Sequence, residues 1–271
     1  MITRSLDKAK EAFRNRDVKA SIAAHSTAAA AASGHLAAAA ERHTQGQGRY
    51  IKSVVYGGLD GIITTFAVVA GVAGASLSAG IVLIMGFANL IADGISMAIG
   101  DYLSSKSERE YEAAERTREA WEVEHYPEGE KKELVEIYEA KGIPAKDAEA
   151  MVSILAKNPK AWVDIMMVEE LGIVGSDESP FANAVATFFS FAVFGFVPLL
   201  TYVVATFVPF LRANSFLIAA LLTGATLFAL GAVKVRITGK NWFLSGLETF
   251  VIGGITAAAA YGVGVLLGGL A

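Results

Sequence analysis

Four stretches of this 271-residue chain, 61–92, 181–211, 213–233 and 249–271, contain no Asp, Glu, Lys or Arg. Each is long enough to cross a bilayer, whose hydrocarbon core takes about 20 helical residues. The chain is therefore expected to be all-α and polytopic, built on membrane-spanning helices. The missing charge is concentrated elsewhere. Residues 106–178 hold 19 of the 27 acidic residues and 10 of the 23 basic ones, a local net of −9. The spans exclude an ordinary soluble enzyme, and the lack of a basic face excludes a nucleic-acid binder. Zero Cys excludes disulfides, thiolate metal sites and Cys nucleophiles.

Breaks between the apolar runs set the layout. The first run, from about Ile51 to Leu103, is too long for one crossing and breaks at Gly74–Gly80, which predicts span 1 near 52–74 and span 2 near 78–104. Span 2 has no stop signal, so one helix is expected to leave the bilayer and continue in water to Tyr126-Pro127, because the residue before Pro is pushed out of the α region. Short helices over 128–141, 145–157 and 159–171 follow, then span 3 (181–207), span 4 (214–233) and span 5 (about 245–267). The expected organisation is a helical arm (1–50), spans 1–2 (51–105), an acidic helical insert (106–178) and spans 3–5 (179–271). The arm is Ala-rich and carries His35, Glu41 and His43, without a repeated metal-ligand spacing. Met1–Lys19 alternates charges and has no apolar signal-peptide core. Basic residues near span ends (Arg49, Lys52, Lys106, Arg109, Lys234, Arg236, Lys240) fall on one face of a five-span layout, whereas the 3–4 turn has only Arg212. By the positive-inside rule the N-terminus and insert are cytosolic and the C-terminus is not.

Two carboxylates lie within the spans, Asp60 in Gly57-Gly-Leu-Asp-Gly61 and Asp93 in span 2. A charge at membrane depth costs a few kcal/mol, so such residues mark function by default. Met97, four residues after Asp93, shares its helical face. It reads either as a packing residue or as a thioether beside a carboxylate, a pair suited to a softer divalent cation than Ca or Mg. In the insert, Glu108, Glu112, Glu115, Glu119 and Glu122 follow spacings of 4, 3, 4 and 3 and form one stripe. Like charges at i,i+4 repel, and Glu112 alone has a basic residue four positions on, Arg116, so a cationic partner is expected opposite the stripe. Glu130 and Glu133 share a face of the next helix. Met166, Met167 and Glu170 lie on the last, with Met166 and Glu170 four apart. These residues read as carboxylates and thioethers converging on cations, or as an acidic solvated head with a Met core. Glu248, at the opening of span 5, reads as an interfacial residue or part of a proton path.

Three stretches, Tyr56–Gly71 (YGGLDGIITTFAVVAG), Ile95–Glu108 (ISMAIGDYLSSKSE) and Asn158–Leu171 (NPKAWVDIMMVEEL), resemble the vacuolar iron transporter family, and Gly246–Tyr261 (GLETFVIGGITAAAAY) matches more weakly. The resemblance covers about 50–271. It implies a homodimer of five-span subunits in a vacuolar or bacterial plasma membrane, moving cytosolic Fe(II), and often Mn(II), in exchange for protons along a path at the dimer interface. It implies no prosthetic group, the metal being substrate. Asp60 and Met97 match the family's pathway carboxylate and methionine. Glu119, Glu122, Glu130, Glu133, Met166, Met167 and Glu170 match the metal-binding positions of its cytosolic domain, which nodulin-like members lack. Asn89 stands where well-studied members carry a Glu two turns before the pathway Met, and Asp93, one turn closer, is the candidate replacement. Asp93, Glu108, Glu112, Glu115 and Glu248 remain as proton-path or accessory residues. Two other classes fit parts of the pattern: a membrane-anchored metal sensor or store, and an intramembrane aspartyl protease using Asp60 and Asp93 as a dyad. The second leaves the Glu stripe idle.

Overall fold

The computed structural model describes Glu11 and residues 15–20, 51–175, 178–238 and 241–270. The chain divides into two compact units, Met1–Lys52 and Ser53–Ala271. In the first, the Asp17 carboxylate accepts a hydrogen bond from the Ala20 N–H at 3.0 Å. The Ala-rich stretch with His35, Glu41 and His43 lies outside the described residues.

Among the described residues from position 51 onward, all regular structure is helical. The order is α1 (Ile51–Gly74), α2 (Ala79–His125), α3 (Pro127–Ala140), α4 (Ala145–Leu155), α5 (Pro159–Glu169), α6 (Pro180–Phe207), α7 (Pro209–Arg212), α8 (Ser215–Thr238) and α9 (Trp242–Leu267). Five of them, α1, α2, α6, α8 and α9, are long and apolar enough to cross a membrane. Local chemistry sets the starts. Asn158 Oδ1 accepts from the Ala161 N–H at 3.2 Å and Pro159 takes the first helical position of α5. Asn241 Oδ1 accepts from the Phe243 N–H at 2.9 Å at the start of α9. Both arrangements satisfy N–H groups that a helix start leaves orphaned.

Two boundaries differ from the sequence expectation. The fourth span is part of a helix that runs to Thr238, past Lys234 and Arg236, because leaving hydrocarbon does not by itself unwind a helix and no Gly or Pro interrupts the sequence from Lys234 until Gly239. A separate four-residue helix, α7, follows α6, and there Arg212 donates from Nε to the Ala205 carbonyl (3.1 Å) and from Nη2 to that of Thr206 (3.2 Å). The basic residue of that turn thus caps carbonyls at the C-terminus of α6, where a cation also suits the helix dipole.

Close backbone approach holds α1 to α6. A Cβ on Gly57 would stand 2.7 Å from the Thr187 carbonyl oxygen, and one on Gly61, a turn later, would penetrate the Phe191 backbone. This is the small-residue packing that substitutes for a hydrophobic driving force inside a membrane. Polar bonds reinforce it. Ser190 Oγ donates to the Val54 carbonyl. Asp101 on α2 accepts from Ser53 of α1 (3.1 Å) and from Thr187 of α6, tying three helices together through one carboxylate. The outward face carries Ile84, Phe87, Ile91, Ile95 and Ile99 of α2, Leu221 of α8 and Ile255 of α9, all exposed. Such a surface would be an aggregation hazard in water and is matched to acyl chains.

In the insert, α3, α4 and α5 pack with the outer end of α2 around Val123, Leu134, Tyr138, Val152, Trp162, Met166 and Met167. The helix α2 is continuous over 47 residues, about 70 Å at 1.5 Å per residue, so it spans the bilayer and also forms part of the insert's core.

Gly61→Val is expected to cost about 1–3 kcal/mol by forcing α1 off α6. It should lower the thermal midpoint of the detergent-solubilised chain, read by tryptophan fluorescence, by several degrees. Gly254→Val, where a Cβ meets nothing within 4 Å, should leave that midpoint nearly unchanged.

Candidate metal site

The insert core and the acidic residues are two ends of the same faces. Glu119 lies one turn before Val123 on α2, Glu130 one turn before Leu134 on α3, and Glu170 one turn after Met166 at the end of α5. Packing the apolar residues therefore brings the three carboxylates together. One oxygen from each lies within 4.8 Å of the others. Glu119 is fully buried and Glu130 is 7% exposed. Both oxygens of Glu119, and Oε2 of Glu130 and of Glu170, are buried without a hydrogen-bond partner. Buried carboxylates without partners are costly and need an explanation.

Arg118 meets part of that cost. Its guanidinium donates to Glu115 (2.8 and 3.0 Å) and to Glu122 (3.2 Å), and Nη2 stands 3.2 Å from Glu119 Oε1 without hydrogen-bond geometry. The bond to Glu115, with the charges of Glu122, Glu115 and Glu119 behind it, pushes the Arg118 guanidinium further up. One cation cannot neutralise five acids. Burial, followed by the charge of Glu170, raises Glu119 to about 7. Burial, followed by the charge of Glu122, raises Glu130 to about 7. Glu170 is also raised, by burial and then by Glu133. Glu119 and Glu130, which hold protons near neutrality, can exchange them for a divalent cation. Oxygen ligands at about 2.1 Å from a metal lie ~3–4 Å apart, so the observed triangle needs only a small contraction.

The structure separates the sequence candidates. Glu119, Glu130 and Glu170 come together, with Met166 (0% exposed) and Met167 (3%) buried in the adjoining core. Glu122 joins through Arg118, whereas Glu133 is exposed and acts on the group by charge alone. Glu115 is held by Arg118. Glu108 and Glu112 lie further down α2, away from this group, beside a separate cavity. The expected partner of Glu112, Arg116, instead pairs with Asp164 of α5, because its side chain reaches across to the packed neighbour. The cation nearest the stripe is Arg118, on α2 itself and not opposite it, i+3 from Glu115 and i−4 from Glu122. In the membrane region Asp60 and Asp93 are half-buried electrostatic neighbours on α1 and α2. Met97 is half-buried one turn beyond Asp93, and the buried Asn89 Nδ2, one turn before it, has no partner. Glu248 is exposed on α9. Asp101, which ties α1, α2 and α6, was not singled out from sequence; the signal available was a carboxylate two turns after Asp93 on the same face.

The sequence pattern of the VIT family matches residues 51–265. The chain belongs to the VIT family. A vacuolar iron transporter from Toxoplasma gondii is 44% identical over 272 residues, covering 97% of this chain and 89% of its own length. One from Plasmodium falciparum is 35% identical, covering 98% of each. Vacuolar iron transporter 1 of Arabidopsis thaliana is 36% identical over 79% of this chain and 84% of its own. The family match spans all five apolar helices and the insert, and the chain is an integral membrane protein.

Three outcomes are expected. Because Glu119 and Glu130 must lose protons to ligate, Fe(II) or Mn(II) affinity of the full chain, measured calorimetrically, should fall as pH drops below about 7. The same raised values mean that the folded metal-free chain binds more protons than the unfolded one between 4.5 and about 7. Its stability should therefore decline as pH rises through that window and be restored by metal. Glu119→Gln should stabilise the metal-free chain at pH ~8 while weakening metal binding by at least about tenfold.

Proposed function

We propose that this chain is a secondary transporter that takes Fe(II), and also Mn(II), from the cytosol and moves it across the membrane into a vacuole or out of the cell in exchange for protons. The observation that carries the reading is the set of three carboxylates with buried, unpartnered oxygens beside two buried methionines, at the outer end of a helix whose inner end holds Asp93 and Met97. Mixed oxygen and thioether donors favour Fe(II) over Ca or Mg, and carboxylates alone also suit Mn(II). The names of the relatives support iron as cargo and the vacuole as destination.

In this reading the insert (106–178) collects the cation at the cytosolic mouth, using Glu119, Glu130 and Glu170 with Met166 and Met167, and Glu122 and Glu133 in support. Asp60 and Met97 replace its hydration shell within the membrane, and Asp93 serves where Asn89 offers no carboxylate. Protonation of Asp60 and Asp93 drives release on the far side. Glu248, exposed on α9, suits an interfacial position better than a proton path. The working unit is a homodimer. Ala88, Ala92, Ser96 and Gly100 recur every four residues on an exposed face of α2 beside Asn89, Asp93 and Met97, the small-residue spacing by which helices meet in lipid.

Proteoliposomes with an imposed pH gradient and an internal chelating dye, kept anaerobic and reducing, test the reading. Gradient-driven Fe(II) uptake should vanish in Asp60→Ala and fall in Glu119→Gln/Glu130→Gln. Metal binding without flux in the unaltered chain would instead make it a sensor or store.

A further inference from the structure

A single guanidinium touches three of the insert's acids at once. Arg118 Nε and Nη2 donate to Glu115 Oε2 at 3.0 and 2.8 Å, and Nη1 lies 3.4 and 3.2 Å from the two oxygens of Glu122. Its Nη2 also stands 3.2 Å from Glu119 Oε1. Two features separate this contact from an ordinary surface ion pair. Glu119 is fully buried, so the guanidinium reaches a carboxylate that water does not. The Arg118 side chain is nevertheless 46% exposed, so it runs from that carboxylate out to solvent and can swing away without crossing the core. Among the described residues no other Lys or Arg pairs with Glu115, Glu119 or Glu122.

The same position conflicts with a bound metal. A divalent ion held by Glu119 Oε1 at about 2.1 Å would lie ~5 Å from Nη2, and like charges that close repel. Glu122, at a position that the family resemblance assigns to metal, has both oxygens on Arg118. Charge decides which ions can take the place of the guanidinium. A monovalent ion brings no more charge than the group it displaces, and it lacks the planar fork of donors that suits carboxylates. A divalent ion brings one charge more.

We infer that Arg118 is a competitor built into the metal site. In the metal-free chain it occupies the mouth of the carboxylate group, and an incoming divalent cation displaces it into water and takes over Glu119 and Glu122. Arg118 thereby sets the affinity of the group and its preference for divalent over monovalent ions. The inference rests on the metal-collecting role proposed above for the insert and adds to it the residue that the metal must move.

The test uses the full chain in lipid nanodiscs at pH ~8, where Glu119 and Glu130 have lost their protons, and reads binding and arginine labelling. Calorimetry should show Arg118→Gln binding Mn(II) at least about tenfold more tightly than the unaltered chain, because a like charge ~5 Å from the ion is gone. Arg118→Lys, which keeps the charge, should stay close to the unaltered affinity. A residue that only oriented Glu119 and Glu122 for the metal would act in the opposite sense, its loss weakening binding. In the unaltered chain, phenylglyoxal should modify Arg118, located by peptide mass spectrometry, several-fold faster with Mn(II) than without. An excess of K(I) should give no acceleration, and Arg116, held by Asp164, should react at one rate throughout. An Arg118→Gln chain that binds no tighter, or Arg118 labelling that Mn(II) leaves unchanged or slows, overturns the inference. Unchanged Mn(II) affinity in Glu119→Gln would remove the metal site itself and the inference with it, a failure distinct from the other two. Absence of flux in proteoliposomes alters none of these readouts.

Discussion

Hydrocarbon offers a backbone no hydrogen-bond partner, and the rest of this structure follows from that. Every crossing is a helix because a helix pairs its own N–H and C=O groups. Once the backbone is satisfied internally, two helices gain little by burying leucine against leucine when lipid is equally apolar. Cohesion has to come from close approach and from polar bonds. The α1–α6 contact supplies the first through Gly57 and Gly61, and Asp101 supplies the second by accepting from Ser53 and Thr187. The polar residues inside the bundle are thus of two kinds: those such as Asp101 that are bonded and hold helices together, and those such as Asn89 whose buried Nδ2 has no partner.

The insert obeys the opposite solvent. It lies in water and buries an ordinary apolar core, yet it places carboxylates at the edge of that core, one helical turn from Val123, Leu134 and Met166. The packing that stabilises the insert is also what brings Glu119, Glu130 and Glu170 within 4.8 Å of one another. Folding and mutual repulsion are therefore coupled, with Arg118 moderating the repulsion in the metal-free state.

Much of this was legible in the sequence, and the reasons differ from part to part. The spans were visible because charge exclusion over 20 residues is a strong signal, and the continuity of α2 because nothing between Asp101 and Tyr126 breaks a helix. The i,i+4 spacings placed carboxylates on shared faces, but they could not say which faces meet. For that reason Glu133 and Glu108, indistinguishable from Glu119 in sequence, lie outside the central group. Arg116 pairs across helices with Asp164, not along its own with Glu112, since a long side chain near an interface chooses its partner by tertiary contact.

The unbroken helix α2 has a further consequence. Glu119 and Asp93 are separated by 26 positions of a single rod, ~39 Å in length and ~7.2 turns, so their side chains leave it about 80° apart. That phase is built into residue number. A deletion or insertion of one residue anywhere between them, even on the exposed face, would rotate the insert by ~100° against the bundle. Length in this stretch is therefore as constrained as chemistry, and a substitution that leaves the rod intact is a far smaller perturbation than any change in its count.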